Sequence, residues 1–383
     1  MKIRTDFLPF GRPDFSDDEI AAVTRVLKSG WIGMGPETIA FEHELESYCN
    51  AKNVVTVNSC TSALHLSLLV HGIKPGDEVI CPSFTWCSTA NAAEYLGAKV
   101  IFCDINPETY CIDSNTVMEK VSEKTKAVIP VHMAGLTAEI DKIRAELPES
   151  CVIIEDAAHA FGASYDSGKP VGSSGNLACF SFYANKNLST AEGGAIALSN
   201  LKMAERLRSL RLHGLSSDAW DRFTTLKKFT PEMLELGYKM NYTDLQAAIG
   251  RVQLARQGEF QARRLEIAEY YTSRLKKINL DILIQKDVLS PNHSRHLFLV
   301  ELPLENIDKA RDEIISGMRK ENIGASIHYK PVHQMPYYAK KVHQSLPETE
   351  RIADRIMTLP ISAHMTVNDA HDVMDSFEHI IIG

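Results

Sequence analysis

No stretch of this 383-residue chain gathers basic residues, and Lys and Arg together number 41 against 49 Asp and Glu, a formal charge of −8. A phosphate backbone is held through many cationic contacts, so no nucleic-acid partner is expected. No apolar run approaches the roughly 20 residues that a membrane span requires. The opening MKIRTDFLPFGRPDF has no apolar core followed by a small-residue cleavage site, so neither membrane nor export is expected and the reading is a cytoplasmic protein. The eight cysteines (Cys49, Cys60, Cys81, Cys87, Cys103, Cys111, Cys151 and Cys179) form no CxxC and no tight repeat. That spacing suits reduced, mostly buried thiols and predicts no disulfides. There is no HExxH, and the HxxH formed by His293 and His296 has no cysteine nearby, so no metal site is expected. Internal repeats, low-complexity tracts and Pro/Gly/Ser linkers are also missing.

What is present is a composition of 44% hydrophobic and 23% charged residues, ordinary for a globular protein, in a chain longer than one core usually supports. Two domains are expected, a large one over 1–250 including an N-terminal arm and a smaller α+β one over 251–383. SDDEIAAVTRVLKSG opens with a capping box, Ser16 to Glu19, and closes at Gly30, which predicts a helix. NVVTVNS reads as a strand, TSALHLSLLVHG as a helix closed by Gly72, and EVICP as a strand ending at Pro82. WCSTANAAEYLG is helical, whereas AKVIFCDI, AVIPVHM and CVIIEDAA are extended. These strands are apolar on both faces, the signature of a mainly parallel sheet covered by helices on both sides. A long helical stretch follows from NYTDLQAAIG to YYTSRL, then HLFLVEL and a shorter mixed region.

In such an α/β sheet, ligands gather beyond the carboxyl ends of the strands. Asp156 lies just beyond the apolar run of CVIIED. Asn58, Ser59, Cys60, Thr61 and Ser62 fall between a strand and a helix, where hydroxyls and backbone N–H groups make an anion site. Ser181 and Lys186 follow ACFSFYA, and Trp86 and His159 sit at the same edge. A buried carboxylate, a phosphate cradle, a flat aromatic and a lysine are the set that pyridoxal phosphate requires. The carboxylate keeps the ring nitrogen protonated, and a lysine whose amine can be neutral holds the aldehyde as a Schiff base and moves protons. Each residue also has an ordinary use. Lys186 could be a surface lysine, Asp156 a turn cap, the Ser/Thr group a helix cap, Trp86 core and His159 a hydrogen-bonded structural histidine.

SFYANKNLSTAEGGAIALSN resembles the cofactor-lysine segment of the DegT-type sugar-nucleotide aminotransferases, which share the aspartate aminotransferase fold. Further matches are SCTSALHL, GDEVICPSFTWCSTANAAEYLGAKVIFCDI, AVIPVHMAG, EDAAHAFGA, GYKMNYTDLQAAIG and IHYKPVHQMPYY, over nearly the whole chain. The resemblance implies that residues 1–250 are a large pyridoxal phosphate domain, with Lys186 as the Schiff-base lysine and Asp156 the partner of the pyridine nitrogen. It makes Trp86 the stacking ring, places Cys60, Thr61, Ser62 and Ser181 around the phosphate, and sets His159 near the phenolic oxygen. Asn241 is implied to reach the cofactor phosphate of a neighbouring subunit, hence a homodimer with shared active sites. Met240 and Tyr242 depart from the usual aromatic-then-aliphatic flanks of that asparagine. His328, in IHYKPVHQMPYY, is expected to contact substrate. EDAAHAFGA, KNLSTAEGG and HGLSSDAWDRF look most like members acting on 4-keto sugars, so the expected reaction aminates a UDP-4-keto sugar with glutamate as donor. The rivals are amination of a 3-keto, dTDP- or GDP-linked sugar, and a catalytically idle binding or regulatory protein on the same fold.

Overall fold

The computed structural model describes residues 3–216 and 230–382. Residues 217–223 of HGLSSDAWDRF therefore lie outside the described residues. Seven strands form the central sheet: β1 Asn53–Val57, β2 Glu78–Pro82, β3 Lys99–Cys103, β4 Thr125–Val128, β5 Val152–Asp156, β6 Leu177–Ser181 and β7 Gly194–Leu198. Their spatial order is β1-β7-β6-β5-β4-β2-β3. β7 runs antiparallel to both β1 and β6, and every other pairing is parallel.

The strands are apolar on both faces because each face meets its own core. Successive side chains point to opposite sides of a strand. Thus Ile153 joins one apolar cluster and Ile154 the other, Ala178 and Phe180 the first and Cys179 the second, Ala195 the first and Ile196 the second. Full burial of such a side chain contributes about 1.5–3 kcal/mol, so the alternation fixes register and placement together. The helix Asp17–Ser29 has the capping box between Ser16 and Glu19 and a left-handed Gly30 at its end. The helix Cys60–Val70 is capped by Ser59, and Gly72 takes a positive φ just beyond it.

Three segments differ from the sequence reading. GAIAL, which carries the sheet's antiparallel strand β7, stood outside every expected strand. AVIPVHM stays extended only to Val128, with a single further bridge from Val131 to Asp156, because Pro130 has no N–H to donate and Met133–Gly135 forms a tight turn. The long helical stretch is two helices, Asp244–Ala255 and Gln257–Leu275, meeting at Arg256.

A second, antiparallel sheet orders β10 (Ile356–Leu359), β9 (Phe298–Glu301) and β8 (Leu283–Ile284). Its core combines Tyr271, Phe298, Val300, Met357 and Phe377 with Leu8 from the N-terminal stretch. Leu8 is tied there by its N–H to Asn322 O (2.8 Å) and its carbonyl to Gly324 N–H (2.7 Å). Gly250, near which the sequence places the domain division, lies inside the helix Asp244–Ala255, where a Cβ would come within 2.6 Å of the Phe41 ring. All eight cysteines are free thiols, and all but Cys87 are buried.

Candidate active site

The carboxyl ends of β5 and β6 and the N-terminus of the helix Cys60–Val70 surround a cavity of about 490 Å³. Asp156, Lys186, His159, Trp86, Cys60, Thr61, Ser181 and His328 all border it. Eight of the ten residues singled out from the sequence are thus brought together.

Asp156 ends β5 with its carboxylate buried. Thr89 Oγ1 donates to Oδ2 (2.7 Å) and the Ala158 N–H to Oδ1 (3.1 Å). Burial pushes this carboxyl above its usual range, and the two donors and the Lys186 charge only partly offset that. Thr89 is within hydrogen-bonding distance of Thr85 (2.9 Å), so the helix Cys87–Glu94 carries the device that orients Asp156. Trp86, immediately before that helix, is 57% exposed and so is no core residue, and its ring lies 6.0 Å from that of Tyr329.

Lys186 follows β6 in a turn closed by its own N–H to Tyr183 O (2.9 Å). The residue is half-buried in the cavity wall. Desolvation lowers its amine to about 8, against the opposing pull of Asp156 and Cys60. The strand that follows begins with Gly194, where a Cβ would meet Ser59 C at 2.6 Å and Cys60 N at 2.7 Å. Only glycine lets β7 approach the N-terminus of the helix Cys60–Val70 so closely.

Thr61 and Cys60 occupy the first turn of that helix, where backbone N–H groups lack helical acceptors. Ser62 is used differently. Its N–H donates to Ser59 Oγ (3.1 Å) and its hydroxyl to Asn58 Oδ1 (2.7 Å), so it braces the cap instead of bordering the cavity. Ser181 sits at the tip of β6, its Oγ accepting from the Tyr183 N–H (3.4 Å). Asn241, expected at a cofactor phosphate, does not border the cavity and donates to Tyr242 O (2.9 Å). Tyr242 is fully buried, stacks on Phe41 and donates to Thr190 Oγ1 (2.6 Å), which accounts for the aromatic residue after Asn241.

The histidines carry the largest surprise. His159 Nδ1 accepts from the Ala134 N–H (3.3 Å), and burial followed by the Lys186 charge holds the ring well below its usual pKa. A neutral ring accepting at Nδ1 carries its hydrogen on Nε2, so Nε2 donates to Tyr329 Oη (2.9 Å). The Tyr329 hydroxyl hydrogen is left for another acceptor. His328 is buried, paired through Nδ1 with Thr358 Oγ1 (2.8 Å), and pushed down to about 3 by burial and by Lys186. His296 lies with Nε2 3.3 Å from Lys186 Nζ, its ring 4.5 Å from that of His159. Sequence reasoning weighed His296 only as half of an HxxH metal motif, and it passed over Thr89 and Tyr329. Adjacency to His328 was the one available signal for Tyr329. No group of side chains among the described residues is arranged to hold a metal ion.

Residues 13–378 match the DegT/DnrJ/EryC1/StrS aminotransferase family. The spore coat polysaccharide biosynthesis protein SpsC of Bacillus subtilis is 38% identical over 387 residues, 99% of this chain and 98% of its own. Helicobacter pylori PseC, an aminotransferase involved in the biosynthesis of pseudoaminic acid, superposes with a TM-score of 0.90 at 25% identity, over 99% of this chain and 100% of that one. NtdA of Bacillus subtilis, solved with bound cofactor PMP, gives 0.86 at 27% identity, over 100% of this chain and 86% of that one.

Proposed function

Because the chain belongs to the DegT/DnrJ/EryC1/StrS aminotransferase family, we propose that it is a pyridoxal-phosphate-dependent sugar aminotransferase that converts the ketone of a nucleotide-linked keto sugar into an amine. The observation that carries this reading is the pairing, in one cavity, of a lysine amine lowered to about 8 with a buried carboxyl raised above its usual range.

The residues present fit the cofactor. A cavity of about 490 Å³ lies within the range of small-molecule sites. The first-turn N–H groups of the helix Cys60–Val70, with the Thr61 and Ser181 hydroxyls, form an anion cradle at the positive end of the helix dipole. Asp156 would face the ring nitrogen, Trp86 would offer a stacking face, and the linked His159 and Tyr329 would take the phenolic oxygen. When bound, pyridoxal phosphate supplies an aldehyde to carry the amino group and a ring that accepts the electron pair released when a C–H bond breaks. The chain supplies the proton handling. Lys186 Nζ would hold the cofactor and would serve as the base that takes a proton from carbon and returns it. A pKa near 8 leaves enough neutral amine for both roles.

The favoured substrate is a UDP-4-keto sugar and the favoured donor glutamate. Histidine at 159, within EDAAHAFGA, supports the 4-keto assignment. The named roles of SpsC and PseC in coat polysaccharide and pseudoaminic acid biosynthesis support a sugar destined for a polymer or glycan. A homodimer in which Asn241 reaches the partner's phosphate is part of the reading. Asn241→Ala should weaken cofactor retention without unfolding the chain, and co-purified heterodimers with Lys186→Ala should show whose site Asn241 serves. A cytoplasmic location fits eight free cysteines. The deciding experiment incubates the purified protein with glutamate and a panel of UDP-, dTDP- and GDP-linked 3-keto and 4-keto sugars, with mass analysis of the products. Amination of the UDP-4-keto sugar is the expected result. Amination of another member corrects the substrate, and no amination together with a cofactor spectrum that glutamate leaves unchanged defeats the reading.

A further inference from the structure

Among the described residues Lys186 has one side-chain hydrogen-bond partner, and it comes from a segment 110 residues further along the chain. His296 is 4% exposed, and its Nε2 lies 3.3 Å from Lys186 Nζ. Which ring nitrogen of His296 carries hydrogen follows from its other neighbour. Nδ1 is 3.2 Å from Asn187 Oδ1. The Asn187 amide cannot be turned round, because its Nδ2 donates to two backbone carbonyls, Ser294 O (2.9 Å) and Phe161 O (3.3 Å), and neither could pair with an amide oxygen. Oδ1 therefore faces His296, and Nδ1 must carry the hydrogen that it accepts. Asn187 is itself clamped, its carbonyl accepting from Gln257 Nε2 (2.9 Å). The His296 backbone is fixed by its N–H to Ala134 O (2.8 Å), and Arg264 Nη1 donates to both Arg295 O (3.1 Å) and His296 O (3.4 Å).

We propose that His296, locked by Asn187 in the tautomer with a bare Nε2, is a positioning residue for Lys186: it accepts a hydrogen from the amine in either charge state and turns the amine's remaining side towards the cavity. The groups around the pair leave this ring neutral. His296 is held well below its usual pKa by burial first, then by the Lys186 charge, with the Arg264 charge adding to it. The groups that act electrostatically on Lys186 are Asp156 at the tip of β5 and Cys60 at the helix N-terminus, while His159 and His328 border the same cavity. Among the described residues no carboxylate other than Asp156 acts on Lys186, so the imidazole is the neutral acceptor that steadies the ammonium form without adding charge.

The inference rests on the reading of Lys186 as the cofactor lysine, and its test separates the two. In protein stripped of cofactor, the pKa of Lys186 is read from the pH dependence of its acetylation by acetic anhydride, followed by mass analysis of the peptide containing it. His296→Phe keeps an enclosing ring but removes the acceptor, and a hydrogen bond to the charged form is lost. The pKa is expected to fall by about one unit, with the acid limb of the activity profile moving by the same amount. His296→Gln, which can present Oε1 to the amine, should bring the value back towards that of the parent. If His296→Phe does not fold, Asn187→Ala frees the tautomer and should lower the pKa as well. An unchanged Lys186 pKa in His296→Phe, or in Asn187→Ala where His296→Phe does not fold, overturns the proposal. Borohydride labelling of a lysine other than Lys186 in the loaded parent protein would instead defeat the reading of the site and leave the measured pKa shift standing.

Discussion

Glu155 and Asp156 are neighbours in β5, both carboxylates are buried, and they are held in opposite ways. Glu155 accepts four hydrogen bonds: His132 Nε2 (2.9 Å) and Tyr165 Oη (2.7 Å) on one oxygen, Ser174 Oγ (2.5 Å) and Asn176 Nδ2 (3.0 Å) on the other. His132 Nδ1 is occupied by the Ala138 N–H, which leaves Nε2–H to donate. Burial would raise the Glu155 carboxyl, but these donors hold it below its usual range. Asp156 accepts two hydrogen bonds, stays raised, and faces the cavity. One strand turns successive side chains to opposite faces, so a single step along the chain separates a saturated structural carboxylate from one with capacity left for a ligand. The general lesson is that unspent hydrogen-bonding capacity marks function more sharply than burial does.

The comparison predicts that changes on the cavity side cost activity and leave the fold intact, while changes on the Glu155 side do the reverse. Lys186→Ala should be the largest effect, with turnover falling by at least about a thousandfold and the melting temperature unmoved. Borohydride should label the peptide containing Lys186 in the parent and nothing in the variant. In the parent, covalent attachment of added cofactor should speed up as pH rises through about 8, because only the neutral amine attacks. Near-native turnover in Lys186→Ala would remove the cavity side of the comparison altogether.

Asp156→Asn and Glu155→Gln set the two neighbours directly against each other. Asp156 has a raised pKa in the folded state, so its ionised form is a cost to folding at neutral pH and the amide should be at least as stable. Turnover should nevertheless fall by about 10²–10⁴, as the charge facing the ring nitrogen is lost. Glu155→Gln places an amide NH₂ where donors converge and should lose about 3 kcal/mol in denaturant unfolding, with turnover per folded molecule retained. The lowered Glu155 carboxyl makes its contribution present above its unfolded pKa and lost as pH falls through the folded value. Equal losses of stability in both variants would erase the distinction.

His328 borders the same cavity but spends Nδ1 on Thr358, so its effect should be smaller. His328→Ala should raise the Michaelis constant for the sugar about fivefold, the worth of one neutral hydrogen bond, and leave the cofactor spectrum unchanged. A changed spectrum with normal sugar kinetics would move His328 from the substrate to the cofactor.

The sheet was legible in the sequence because strands buried on both faces must be apolar throughout, and the caps at Ser16 and Gly30 were legible because helix ends have local chemistry. The same property concealed which face each residue takes, so no pattern within CVIIED tells Glu155 from Asp156. β7 escaped notice because its opening glycine is there for a close approach to Ser59 and Cys60, a need visible only once the helix lies against it. His296 reaches Lys186, and Tyr329 the cavity, by tertiary packing from positions whose local sequence carries no periodic signal. The position of Lys186 could be read from its place after an apolar run, whereas its acceptor could not.

Ser62 is the boundary case, and it carries the smallest prediction. Sequence reasoning grouped it with Thr61 as a phosphate ligand, but its hydroxyl donates to Asn58 and its N–H to Ser59 Oγ, while Thr61 borders the cavity. If unspent capacity is what marks a ligand-binding group, two adjacent hydroxyl residues on one helix turn should separate as Glu155 and Asp156 do. Ser62→Ala should lose about 1 kcal/mol or less, since Ser59 still caps the helix, and should leave cofactor affinity unchanged. Thr61→Val, which keeps the shape and removes the hydroxyl, should leave stability near the parent's and weaken cofactor binding about tenfold, as expected when one hydrogen bond to a charged phosphate is lost. Cofactor titration of the two variants, followed by absorbance, measures the difference. Weaker binding in Ser62→Ala than in Thr61→Val would show that Ser62 turns from Asn58 to the phosphate when the site fills.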